Sequence, residues 1–201
     1  RATPSASDLF NPTKDRVTLG GLGAHGGTLR TAKWRRGNKY IAVGGDASKI
    51  DSCTLRVFKF DEERDELDEL PGCRLALTTV KDIDWSPDGR FLAVAKDNTA
   101  GDYFVGDVYE FHDFPGEEHL EFAARYSIGS SNSAISVAWR SYGRMVLWGS
   151  SSGYGVVCQL RQNTTTGLWE LPSVASDEII SSRPLNSVSW KPDGTEIVAV
   201  T

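Results

Sequence analysis

The chain has 201 residues, 39% of them hydrophobic and 10% aromatic, which is enough apolar content to bury a core and too much for a disordered tail. Its formal charge is −5 at pH 7, and segment 61–69 alone holds seven acids (Asp61, Glu62, Glu63, Asp65, Glu66, Asp68, Glu69) against Arg64, a local −6 that leaves +1 for the rest. No basic face for nucleic-acid phosphates emerges from that balance, and no apolar run reaches the roughly 20 residues that span a bilayer as a helix.

In chain order, 6–10 and 16–19 read as two strands around the turn Asn11-Pro12-Thr13-Lys14-Asp15, the outer half of a unit whose inner half is missing. Gly21-Leu22-Gly23-Ala24-His25-Gly26 then matches the Gly-x-Gly-x-x-Gly dinucleotide fingerprint. That fingerprint needs a helix to receive the pyrophosphate, but the next segment is the β-branched, alternating Thr28 to Trp34, so a connection between units is the expected role. Leu29-Arg30-Thr31-Ala32-Lys33-Trp34, the turn Arg35-Arg36-Gly37-Asn38 and the apolar run 40–43 form an inner hairpin. A second hairpin comes after it, with the alternating strand 54–60, a polar tip at 61–66 and a returning strand near 67–70.

The same order of features then repeats. Val80-Lys81-Asp82-Ile83-Asp84-Trp85, Ala134-Ile135-Ser136-Val137-Ala138-Trp139 and Leu185-Asn186-Ser187-Val188-Ser189-Trp190 align with the first hairpin, and Trp34, Trp85, Trp139 and Trp190 are 51, 54 and 51 residues apart. Ser86-Pro87-Asp88-Gly89 and Lys191-Pro192-Asp193-Gly194 are strong turns, because Pro sets φ at the second position while Asp and Gly suit the later ones. Apolar strands come after each turn at 91–94, 145–148 and 197–200; outer hairpins are expected at 106–111 with 120–126 and at 155–160 with 168–174. The chain thus divides into an outer half-blade 6–19, blades 29–79, 80–130 and 134–180, and an inner half-blade 185–201. The predicted class is all-β, a β-propeller of four-stranded antiparallel blades. The two half-blades either pair to close a four-bladed ring or belong to an arc of a larger propeller, and the arc is the favoured expectation. The chain begins without Met, which fits removal from something longer.

At 80–95 and 185–200 the chain resembles the WD-repeat family, through the spacing of apolar residue, apolar residue, Trp, Pro-Asp-Gly turn and aliphatic strand. The Trp-Asp dipeptide that names the family is absent, and His25, in Ala24-His25, is all that stands for its Gly-His element. Phe60, Phe111 and Leu160 occupy the third-strand position where the family usually has Trp. Propellers of the TolB and lactonase-like types share the Pro-Asp-Gly turn and stay open as alternatives. The resemblance implies a binding platform, and the identical phase of the four tryptophans implies packing between blades.

Catalytic constellations are not visible. No Ser lies in a Gly-x-Ser-x-Gly elbow, and His25, His112 and His119 lack His-Glu-x-x-His spacing, so neither cofactor nor metal is expected, and His112 and His119 read as solvated loop residues. Cys53, Cys73 and Cys158 are too scattered for a disulfide framework or zinc ribbon. Asn163-Thr164-Thr165 fits a glycosylation sequon, which matters only in a secretory chain. The function expected is a protein-protein interaction scaffold without catalysis, with a propeller enzyme or small-ligand binder using the central channel as the alternative. Its partner would be another protein, not nucleic acid or a membrane. The candidate contact residues are Asp61, Glu62, Glu63, Asp65 and Glu66 at the acidic tip, together with Tyr103, Tyr142, Trp148 and Tyr154 beside turns, although Trp148 could equally be core. The sequence names no compartment; the cytoplasm is the default.

Overall fold

The computed structural model describes residues 27–47, 52–97, 106–127, 133–179 and 181–201. Sixteen strands and no helix are found among them. The first sheet contains β1 (Leu29–Trp34), β2 (Tyr40–Gly45), β3 (Leu55–Asp61) and β4 (Glu66–Glu69), antiparallel and in sequence order. A second sheet repeats that order with β5 (Val80–Trp85), β6 (Phe91–Lys96), β7 (Gly106–His112) and β8 (His119–Tyr126). The third has β9 (Ala134–Trp139), β10 (Met145–Ser150), β11 (Tyr154–Gln159) and, as its outer strand, β14 (Ser173–Ile179). Between β11 and β14 lies a two-stranded ribbon of β12 (Arg161–Gln162) and β13 (Trp169–Glu170); β15 (Ser187–Trp190) and β16 (Ile197–Val200) form a final inner hairpin.

The first strands of the sheets, β1, β5, β9 and β15, pack side by side in that order. Four-stranded antiparallel sheets stacked face to face with their first strands adjacent are propeller blades. The pairing that would distinguish a closed ring from an arc involves the half-blade 6–19, which lies outside the described residues, as do His25, the glycine-rich segment 21–26 and Tyr103.

The hydrophobic core lies in the seams between blades. Between the first and second, Tyr40, Ala42, Leu55 and Val57 meet Ile83, Trp85, Leu92 and Phe111. Between the second and third, Phe91, Ala93 and Val108 meet Val137, Trp139, Val146 and Trp148. Leu147 meets Leu185 and Val188 at the last seam. The continuous apolar runs of β6 and β10 result from this stacking, since a neighbouring blade covers each of their faces.

Two expectations need correction. Packing between blades holds for Trp85 and Trp139, each 6% exposed, but Trp34 is 46% exposed. The face that Trp85 turns toward β1 has no described strand to meet it at Trp34, whose ring makes an edge contact with Phe60 in its own sheet. The outer hairpin of the third blade also departs from the expected return at 168–174. Pro172 has no N–H to donate, so the strand is interrupted there. Its carbonyl accepts from Gln159, residues 169–170 fold back on 161–162, and the true outer strand starts at Ser173.

Candidate interaction surface

Side-chain bonds to backbone join each blade to the next, and they do so in two ways. At the first seam, the Trp85 indole N–H donates to the Lys33 carbonyl at 3.0 Å. The Arg35 Nε donates to the Gly89 carbonyl at 2.8 Å, inside the Pro87-Asp88-Gly89 turn, and its Nη1 pairs with Asp113 at 2.9 Å. Gly89 has φ 69° and an added Cβ would sit 2.6 Å from Arg35 Nε, so the turn requires glycine for both conformation and the approach of that guanidinium. The Asp88 carboxylate accepts from Ser86 Oγ and the Arg90 amide. Burial works to raise its pKa, but these hydrogen bonds and the nearby Arg144 and Arg90 outweigh burial and hold it below the usual carboxylate range.

The last seam repeats the indole donor but not the guanidinium bond, since Arg140 Nε is buried without a hydrogen bond among the described residues. Trp190 donates to the Ala138 carbonyl at 3.1 Å, Arg140 approaches Gly194 (φ 65°) as Arg35 approaches Gly89, and Ser141 Oγ and the Tyr142 hydroxyl donate to the carbonyls of Pro192 and Asp193. The turns that lost proline thus supply the side chains that clasp the turns that kept it.

The middle seam is different. The Trp139 indole N–H is buried without a hydrogen-bond partner among the described residues. In its place two carboxylates of β5 reach across to β9: Asp82 Oδ2 accepts from the Val137 amide at 3.0 Å and Asp84 Oδ2 from the Trp139 amide at 2.7 Å. Asp82 also accepts from Thr31 Oγ1 on β1, and Ser136 Oγ, in the same phase on β9, donates to the Leu185 carbonyl. A β-bulge recurs just before Thr31 and Asp82, and β9 shifts register at the matching place, which aims these side chains at the neighbouring blade. Burial pushes the Asp82 carboxyl up and the Asp84 carboxyl up to about 6, against the opposing pull of the amides and of Lys33. None of Lys33, Asp82, Asp84, Arg35 or Arg140 was singled out from the sequence. The column of Thr31, Asp82, Ser136 and Ser187, at the 51, 54 and 51 residue period, was the available signal.

The residues that were singled out are scattered. At the acidic tip, Asp61 accepts from the amides of Glu63 and Arg64, and Arg64 pairs with Asp61 at 2.8 Å, with Glu66 at 2.9 Å and with Asp68. The Arg64 hydrogen bond, with the two amides, holds Asp61 below the usual carboxylate range. Glu69 lies near Arg56 and Arg74. That leaves Glu62, Glu63 and Asp65 exposed with no ion pair among the described residues. Tyr142 is 50% exposed beside the last seam, with Arg140 stacked 4.1 Å over its ring, and Tyr154 is half-buried at the start of β11. Trp148 is core, fully buried; its ring lies against Gly106 of β7, where any Cβ would come within 2.7 Å of it. It therefore leaves the contact set. His112 and His119, read as solvated loop residues, end facing strands instead, with their rings stacked 4.6 Å apart.

Residues 67–100 match the family model of the WD domain, G-beta repeat. The match begins in β4 and runs through β6, so a sequence repeat straddles the first seam and couples one blade's outer strand to the next blade's inner hairpin. No match was found among curated protein sequences. Among solved structures, the chain is similar to Sqt1 from Chaetomium thermophilum, with TM-score 0.65 and 16% identity over 88% of this chain and 41% of that one. It is also similar to a putative 6-phosphogluconolactonase from Bacteroides fragilis (TM-score 0.58, 17% identity, 88% of this chain and 43% of that). Hsv2p from Kluyveromyces lactis is a third (TM-score 0.54, 21% identity, 78% and 49%). The chain spans less than half the length of each. The stacked four-stranded sheets and these structural neighbours make the fold a β-propeller, within which residues 67–100 match a WD repeat.

Proposed function

We propose that this chain is an interaction scaffold that presents a rigid blade edge to a basic segment of a protein partner and performs no chemistry of its own. The observation that carries this reading is the β3–β4 turn. Arg64 ties Asp61, Glu66 and Asp68 together and so pre-organises a tip from which Glu62, Glu63 and Asp65 project into solvent. An ordered, unpaired acidic knob favours a cationic partner and gives up little ordering entropy on binding. Tyr103, Tyr142 and Tyr154 are proposed as further aromatic contacts. Sqt1 has been seen bound to the N-terminus of the ribosomal protein L10, and another similar structure belongs to the mitotic checkpoint complex; both support a protein partner.

The test is fluorescence anisotropy with two labelled peptides, one rich in Lys and Arg and one acidic. The basic peptide should bind, weaken with added salt, and lose most of its affinity in a Glu62→Ser, Glu63→Ser, Asp65→Ser variant. Equal binding of both peptides, or no change in that variant, would overturn the reading.

A second reading, a small-ligand or catalytic site on the inner strands, is favoured by one observation, the raised pKa of Asp84 beside Lys33. Against it, the Asp82 and Asp84 carboxylates already accept backbone amides of β9, a structural use of the same groups.

A further inference from the structure

We infer that His112, His119 and Glu121 form a surface site for a borderline divalent metal ion of the Zn²⁺ class, on the outer hairpin of the second blade. His112 and His119 are directly opposed across β7 and β8, and Glu110 and Glu121 are the next opposed pair on the same face. Side chains two apart on a strand share a face and opposed pairs meet across it. Two imidazoles and a carboxylate therefore converge, although His112 and His119 have a seven-residue sequence separation that fits no helical or knuckle metal motif. One donor atom from each of His112, His119 and Glu121 lies within 4.8 Å of the others.

The geometry favours an ion over a plain ion pair. His112 Nε2 stands 3.2 Å from Glu121 Oε2, yet that nitrogen is buried and makes no hydrogen bond, so the contact is close but misaligned. About 3.4 Å is the separation of two ligand atoms on one tetrahedral ion with bonds near 2.05 Å. His119 is already set up as a ligand, because its Nδ1 lies 2.8 Å from the Glu117 carbonyl. A carbonyl only accepts, so Nδ1 carries the hydrogen and Nε2 keeps its lone pair, the arrangement that second-shell carbonyls impose on metal-bound histidine. Glu110 is diverted to Arg90 and to the Trp169 indole, which leaves Glu121 as the available carboxylate.

The backbone beneath the site is held from the neighbouring blade. Gly72 bridges to His119, its carbonyl accepts the Leu120 amide, and an added Cβ at Gly72 would sit 2.5 Å from the Glu118 carbonyl. Glu118 in turn pairs with Lys59 of β3 at 3.1 Å. His119 thus starts from a fixed strand position, and the closing movement falls to exposed side chains. Three protein ligands leave a fourth position for water or for a donor from another molecule.

Isothermal titration calorimetry of the full chain with ZnCl2, and separately with MgCl2, tests the site. One equivalent of Zn²⁺ should bind and Mg²⁺ should give no heat, since imidazole suits zinc and not magnesium. His112→Phe and His119→Phe, which keep a stacked ring, should each weaken binding at least tenfold. Glu121→Gln, a change at an exposed side chain, should weaken it with the fold intact by circular dichroism, while Cys53→Ser should leave it unchanged. No heat with Zn²⁺, unchanged affinity in Glu121→Gln and either His variant, or loss of binding only in Cys53→Ser, would overturn the inference.

Discussion

The first and middle seams each bury an apolar cluster and close it with a different electrostatic device. At the first, cationic and neutral donors (Arg35, the Trp85 indole) reach carbonyls of the adjoining blade. At the middle, anionic acceptors (Asp82, Asp84) reach amides, and the equivalent indole, that of Trp139, is left without a hydrogen-bond partner among the described residues. The last seam shares the indole donor of the first and adds the Ser141 and Tyr142 hydroxyls. Guanidinium and indole donors keep their charge state over the whole stability range of a protein, whereas a buried carboxylate carries a desolvation cost that depends on pH. Carboxylates that accept backbone amides thus belong to the middle seam, while the first has, among the described residues, only the Thr31 hydroxyl bond to Asp82 beside its indole and guanidinium donors, and a repeat period alone does not reveal which device a seam uses.

The largest expected effect that would break this comparison is at the indole. Trp85→Ala removes a buried ring and its hydrogen bond to Lys33, and should cost about 3–5 kcal/mol by urea denaturation. Trp34→Ala, at the same repeat position but half exposed, should cost under about 1 kcal/mol; equal costs would show that repeat phase and not burial sets the energetics. Arg35→Ala should cost about 1–2 kcal/mol through the lost charge-assisted bond to the Gly89 carbonyl, and should leave the pH dependence of stability unchanged. The smallest effect belongs to the acidic tip: Glu62→Ser, Glu63→Ser and Asp65→Ser together should shift stability by less than about 0.5 kcal/mol, while abolishing the binding proposed for that tip. A large destabilisation there would mean the tip is structural.

The blade plan was legible because it rests on local chemistry. The tryptophan column, the Pro-Asp-Gly turns and the middle strands' apolar runs fix strand identity, and β5 and β9 fall where the sequence places them. What escaped depends on neighbours in space. Arg35 is unremarkable until the Gly89 carbonyl, 54 residues on, lies beside it. Trp34 looks like its three counterparts until the strand that would cover it is sought. Trp148 reads as an exposed aromatic beside a turn unless Gly106 is known to leave room for its ring. Pro172 could have been used, since a residue without an N–H marks where the outer strand of the third blade must break. Of the candidate contact residues, the tip's acids lie where a hairpin turn was expected, but their capture by Arg64 was not foreseen.

The difference between the seams is tested most directly at Asp84. Its carboxyl, raised by burial from 3.8 to about 6, is protonated in the folded chain and ionised in the unfolded one between those pH values. The folded state therefore binds the extra proton, and this group's contribution to stability falls as pH rises from about 4 to about 6, reaching a full penalty of about 3 kcal/mol above that window. Asp84→Asn keeps an oxygen for the Trp139 amide and removes the charge. Urea denaturation of both proteins from pH 4.5 to 7.5 should show the variant more stable by about 1–2 kcal/mol at pH 7, with the gap closing toward pH 4.5. A variant less stable than the wild type at pH 7, or a gap that does not change with pH, would contradict a buried, desolvated carboxylate as the clasp of the middle seam.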